Sequence, residues 1–201
     1  MADLVGLVLA GGAGRRLGRD KGSLELEGRT LALRAAEPLS EICGRVLISI
    51  APGADNPAPG YPAIEDAAPA GRGPLAGIHA AFLAVAQADL LVLACDYPRV
   101  ECALFRRLLA AAEAGAEMVF PRDEAGRDHP LVGLWRRSVA AAVERALARD
   151  VLAVRDLVRE RRVQRVGPRQ LGRATLARGL LNVNRPNDLE RLAGDGNGAL
   201  A

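Results

Sequence analysis

Residues 4–14, LVGLVLAGGAG, open with a continuous apolar run and end in glycines at 11, 12 and 14. A short apolar run without polar alternation is the pattern of a strand buried on both faces, as in a parallel sheet. The glycines let the chain turn tightly and let backbone N–H groups approach an anion. RVLISIA (45–51) and LLVLACD (90–96) read as strands of the same kind. Helical spacing lies between them, over 30–42 (Leu31, Leu33, Ala35, Leu39, Ile42) and over LAGIHAAFLAVAQ (75–87). The six prolines between 52 and 74 allow only a short extended piece near Ala63–Ile64. Further along, the pattern predicts a helix over 101–115, strands at 117–121 and 131–135, and helices near 137–149 and 152–161. LLNVN (180–184) reads as a late strand, and PNDLERL as a final helix with Pro186 in its first turn. Strands alternating with helices predict one three-layer, doubly wound α/β domain over residues 1–193, with a mostly parallel, Rossmann-like sheet and a frayed tail over 194–201.

The 201 residues suffice for one such domain, and the 50% apolar, 25% charged balance is that of a soluble globular chain. No apolar run reaches the length of a membrane span, and the opening MADLVGLVLAGGAGRR lacks the basic start of a secretory signal. Cys43, Cys95 and Cys102 show no CxxC spacing, so the expectation is a reducing cytoplasm without a disulfide framework or zinc site. Residues 135–191 carry a local charge of +8 against −5 elsewhere. With only 3% aromatics to stack bases, this excess reads as solvated helix faces and not as a nucleic-acid surface. The basic side chains are nearly all Arg, and Lys21 is the single Lys. A compact ammonium kept in an Arg-using chain points to a specific role.

In a doubly wound sheet, ligands bind beyond the carboxyl ends of the strands. Three places qualify. The first is LAGGAGRRLGRDKGS (9–23), where Arg16 and Lys21 join a glycine turn. It matches neither the Walker A loop nor the GxGxxG fingerprint. The second is CDYP (95–98), where Asp96 is either a hard oxygen ligand suited to Mg²⁺ or a helix cap. The third is IEDAAPAGRGPLAGI (64–78), in which Asp66 taken alone reads as a solvated loop acid. His79 reads as a packing residue, His129 precedes the PLVGL strand and is assigned no role, and Tyr97 and Trp135 read as core or rim.

Taken in order, these segments resemble the molybdenum cofactor guanylyltransferase family, within the nucleotidyltransferases of the NDP-sugar pyrophosphorylase fold. The family's LAGG and R-[ML]-G-x-D-K pattern is matched by Leu9, Ala10, Gly11, Gly12, Arg16-Leu17-Gly18 and Asp20-Lys21. Asp66 with Gly73–Ile78 matches the acidic loop and G-P-L-A-G-[IL] helix start, and Cys95–Pro98 the C-D-x-P strand end. Pro130–Leu134 and Asn182–Leu189 match P-L-x-G-L and N-V-N-x-P-x-D-L. The resemblance implies transfer of GMP from MgGTP to the phosphate of molybdopterin or Mo-molybdopterin, with release of pyrophosphate. It implies Leu9, Ala10, Gly11, Gly12, Lys21, Asp66 and Asp96 as nucleotide-binding residues, Lys21, Arg16 and Asp96 as the catalytic group, and Asp96 as the Mg²⁺ ligand. Asn182 and Asn184 fall to the acceptor side, and the NVN segment favours the guanylyl over the cytidylyl branch. Molybdopterin-delivering proteins and apo-molybdoenzymes are the implied protein partners.

Two departures stand out. Ala51 occupies the end of the second strand, where the family often carries a nucleotide-contacting Asn, which implies a weaker guanine preference. Gly14 replaces a common Ser in the first loop. Two alternatives stay open: a relative using CTP or another phosphorylated acceptor, and a non-catalytic nucleotide-binding adaptor of the same fold. The presence of Lys21, Asp66 and Asp96 argues against the adaptor.

Overall fold

The structure, a computed structural model, describes residues 3–11, 21–66, 71–183, 188, 189 and 192. The chain runs β1 (Leu4–Leu9), β2 (Glu25–Leu26), β3 (Arg29–Thr30), α1 (Leu31–Ser40), β4 (Val46–Ile50), β5 (Ala63–Glu65), α2 (Pro74–Ala84) and β6 (Asp89–Ala94). It continues through α3 (Cys102–Ala111), β7 (Met118–Pro121), β8 (Val132–Trp135), α4 (Ala140–Ala148), α5 (Val154–Arg159), β9 (Val163–Val166), α6 (Pro168–Leu171) and α7 (Arg173–Gly179). Seven strands form one sheet in the order β5-β4-β1-β6-β8-β7-β9, parallel except for β8. The doubly wound, mostly parallel α/β architecture expected from the strand–helix alternation is therefore present.

Each central strand is buried on both faces because its neighbours alternate between two cores. Val8, Val46, Ile48, Ile50, Leu91 and Leu93 face the layer of α1, α3 and α7. Leu7, Leu9, Leu47, Leu90 and Val92 face α2, α4 and α5. Burial of so much branched apolar surface is the main stabilising term. At Gly6 a Cβ would sit 3.0 Å from Val46 Cγ2 and 3.1 Å from Leu39 Cβ, so α1 packs directly on β1 there. Among the described residues no helix is long and apolar enough to cross a membrane.

Several details differ from expectation. Leu181–Val183 form no strand; the sheet ends instead with β9 beside β7, and Val183 N–H donates to the Asp96 carbonyl at 2.8 Å. The segment thus crosses the carboxyl edge of the sheet and does not extend it. The unexpected β9 is an edge strand, so one side of its VQRV sequence stays half-exposed and polar. The expected 137–149 helix begins as a 3₁₀ turn over Arg137–Val139, and α6 and α7 are short helices that carry no long periodic pattern. A small β2–β3 hairpin also appears, turned by Glu27 and Gly28 at positive φ (54° and 73°).

Candidate active site

β1, β4, β5, β6, β7 and β9 all point the same way, so their carboxyl ends share one edge of the sheet. β1 lies between β4 and β6. The connections from β1 run to β4 on one side and on to β6 on the other, the kind of point at which doubly wound sheets bind ligands. Here the backbone N–H groups of Ala10 and Gly11 both donate to the Ser49 carbonyl, at 3.0 and 2.8 Å. Gly11 packs closely on β4: a Cβ there would lie 3.1 Å from both Ala51 N and Ile50 C, so the backbone would have to give by a few tenths of an ångström.

Gly12 and Arg16 lie outside the described residues, as does Asn184. The chain re-enters at Lys21–Ser23, a 3₁₀ turn in which Gly22 is buried. A Cβ on Gly22 would come within 2.9 Å of Ala10 Cβ and 3.1 Å of Pro57 Cγ. The missing side chain lets the turn settle on the end of β1, and this carries Lys21 across to the end of β6. There Lys21 Nζ donates to Asp96 Oδ2 at 3.3 Å, with both side chains about four-fifths buried (19% and 23% exposed).

Asp96 is a costly group to place here. Burial raises its pKa above the usual carboxylate range, while the Lys21 charge and hydrogen bond pull it back. Its second oxygen, Oδ1, is buried with no hydrogen-bond partner among the described residues. A buried, unpaired carboxylate oxygen beside an ammonium is a donor suited to a hard divalent cation. Among the described residues no three His, Cys, Asp or Glu side chains form a metal cluster. A cation on Asp96 would therefore complete its shell with waters and ligand phosphates, the usual arrangement for Mg²⁺.

Asp66 is placed on the other side of β1, just beyond β5. Its backbone N–H donates to Ile50 O at 3.0 Å, and its Oδ1 accepts from Ser49 Oγ at 2.7 Å. Burial raises its pKa, and the Ser49 hydrogen bond partly offsets that shift. Ser49 is one of three buried polar or charged residues among the described residues, and its hydroxyl occupies space that Gly77 of α2 leaves open: a Cβ on Gly77 would lie 2.2 Å from Ser49 Oγ. The fold thus brings Lys21 and Asp96 together at the end of β6, and sets Asp66 at the end of β5, with β4 and β1 between them. Ser49 was not singled out in the sequence; the one hint was a hydroxyl in an otherwise apolar VLISI strand.

Behind Asp96, Tyr97 and His129 have further contacts. Tyr97 Oη and His129 Nδ1 lie 3.2 Å apart, and His129 Nε2 is 3.2 Å from Asp123 Oδ2. Asn182 hydrogen-bonds Tyr97, whose pKa is pushed up to about 12, first by burial and then by the charge of Asp96. His79 is half-buried on α2, and Trp135 is fully buried with Nε1 donating to Pro130 O.

Comparison with known proteins agrees with this geometry. Residues 6–166 match the MobA-like NTP transferase domain. A molybdenum cofactor guanylyltransferase from Rhizobium johnstonii is 35% identical over 92% of this chain and 90% of its own length. Among solved structures, molybdopterin-guanine dinucleotide biosynthesis protein A from Archaeoglobus fulgidus superposes with a TM-score of 0.78 at 24% identity, covering 96% of this chain and 98% of that one. The 2-C-methyl-D-erythritol 4-phosphate cytidylyltransferase of Thermus thermophilus shares the fold at a TM-score of 0.66 and 20% identity, covering 94% and 97%. With a family match over residues 6–166 and a near full-length relative at that identity, the chain belongs to the MobA-like NTP transferase family, as a nucleotidyltransferase of the molybdenum cofactor guanylyltransferase group.

Proposed function

We propose that this chain transfers GMP from MgGTP to the terminal phosphate of molybdopterin or Mo-molybdopterin. The observation that carries this reading is the Lys21–Asp96 pair at the end of β6, with a buried Oδ1 that has no partner among the described residues. An oxygen of the acceptor phosphate forms a bond to the α-phosphorus of GTP. The bond from that phosphorus to the α,β-bridging oxygen breaks, and pyrophosphate leaves with the electron pair. No covalent enzyme intermediate is needed, because the acceptor is already an anion. Catalysis then reduces to alignment and charge stabilisation.

The residues divide that work. We assign the glycine-rich segment after β1 to the phosphates, with Gly11 packed against β4. Lys21 brings an ammonium to the same place, and we assign Arg16 a second cation for the leaving group. Asp96 would hold Mg²⁺, whose charge helps neutralise the triphosphate. Asp66, oriented by Ser49, lies on the β4–β5 side where the nucleoside end would rest. We place Asn182 and Asn184 on the acceptor side.

The test is a panel of GTP, CTP, ATP and UTP, each with Mg²⁺ and molybdopterin, followed by pyrophosphate release. The expected result is turnover with GTP and little with the others. Turnover with CTP in preference to GTP would move the chain to the cytidylyl branch. Pyrophosphate from no nucleotide would overturn the proposal.

A further inference from the structure

Asp96 is held at Oδ2 by Lys21, while its buried Oδ1 has no partner among the described residues, so its own contacts support one oxygen and leave the other unsupported. Further support lies behind it. The Asp96 carbonyl accepts from Val183 N–H, and the next side chain, Tyr97, enters a chain of hydrogen bonds. That chain runs from Asn182 to Tyr97 Oη, from there to His129 Nδ1, and from Nε2 to Asp123 Oδ2. Asp123 is itself held by Arg127, whose backbone N–H donates to Oδ1 at 2.9 Å and whose Nε donates to Oδ2 at 2.7 Å.

The direction of the bonds follows from the chemistry of the groups. An Asp123 carboxylate can only accept, so His129 carries its hydrogen on Nε2. Nδ1 then presents a lone pair, and the Tyr97 hydroxyl donates to it while its oxygen accepts from Asn182. The rings meet edge-on, with centroids 5.8 Å apart and planes at 78°. His129 is only 8% exposed, so the middle of this chain is built into the fold. It ties together three segments at the carboxyl edge: the 122–129 connection between β7 and β8, the turn after β6, and the Asn182–Val183 stretch.

We propose that Tyr97, His129 and Asp123 are positioning residues that hold the Asp96 carboxylate, through the turn after β6 and the Asn182–Val183 segment, in its metal- and phosphate-facing orientation. This rests on the role given to Asp96 above. Groups one step removed from a metal-binding carboxylate commonly change metal affinity or activity by about 10–100-fold when removed.

The test uses Tyr97→Phe, which deletes one hydroxyl, and His129→Leu, which deletes both ring contacts. Two quantities are measured: kcat and KM for GTP in the full reaction, and Mn²⁺ affinity of the protein–GTP complex by electron paramagnetic resonance without acceptor. Each variant is expected to lose about 10-fold in kcat and in Mn²⁺ affinity, with KM for GTP within twofold. The double variant should be no worse than the poorer single one, because both break one chain. His129→Asn, whose side-chain oxygen can still accept from Tyr97, should recover most of the loss. The inference is overturned if Tyr97→Phe binds Mn²⁺ and turns over within twofold of the parent, or if the two losses multiply. Asp96→Asn separates the two levels: if it keeps Mn²⁺ affinity, the role of Asp96 itself fails, whereas its failure to bind beside an unaffected Tyr97→Phe sinks only the positioning role.

Discussion

Replacing Gly77 by Ala tests how α2 and the Ser49–Asp66 pair share one space. Away from neighbours, Gly→Ala in a helix is favourable by about 1 kcal/mol. Here the new Cβ would lie 2.2 Å from Ser49 Oγ and 3.0 Å from both Ser49 Cβ and Leu9 Cδ2. Either the helix shifts from the sheet, an overpacking cost of about 1–3 kcal/mol, or Ser49 rotates away. Rotation forfeits the 2.7 Å bond to Asp66 and leaves a hydroxyl that is 1% exposed without that partner. A hydrogen bond to a charged group is itself worth about 1.5–3 kcal/mol. The net expectation is a loss of about 1–2 kcal/mol in urea unfolding, or a fall in Tm of about 2–8 °C for a chain of this size. Ser49→Ala/Gly77→Ala removes the closest contact and should recover about half of the overpacking cost. A Gly77→Ala protein as stable as the parent would show that Ser49 and α2 are not in contact as described.

Lys21→Ala should raise KM for GTP and lower kcat together, and Lys21→Arg should restore only part of the rate, because a planar fork cannot replace a compact ammonium in this turn. Lys21 is also the only Lys in the chain, so an amine-directed reagent should inactivate the enzyme and saturating MgGTP should protect it; full activity after verified modification would make the side chain a spectator. Ala51→Asn, placed beside the Gly11 contact, should tighten GTP binding in calorimetry, and unchanged affinity would remove this position from nucleotide selection. Asp123 sets a pH dependence: although burial pushes its pKa up, the hydrogen bonds from Arg127 and His129 win and hold it near 2. Its stabilising contribution is therefore present above its unfolded value of about 3.9 and lost as pH falls through the folded value. Asp123→Asn should flatten the fall in urea midpoint between about pH 4 and pH 2, and an unchanged slope would reject the assignment.

The amino-acid sequence by itself determined the central strands, because β1, β4 and β6 are buried on both faces and need unbroken apolar runs that no surface element would carry. It also marked candidate positions: glycines after β1 and an acid after β6 fall at the carboxyl ends of parallel strands, and Lys21 was conspicuous as the lone ammonium. It did not mark β9, whose half-exposed edge position leaves a polar VQRV, or the true path of Leu181–Val183, whose apolar residues suggested a strand where a backbone bond to Asp96 prevails. Only the tertiary structure decided that Ser49 orients Asp66 in the space left by Gly77, and that His129 stands 32 positions from Tyr97 in sequence yet 3.2 Å away in space. Local pattern reports which face of an element is apolar. A polar contact between distant segments depends on how several elements pack at once, so it is written in no single stretch of the chain.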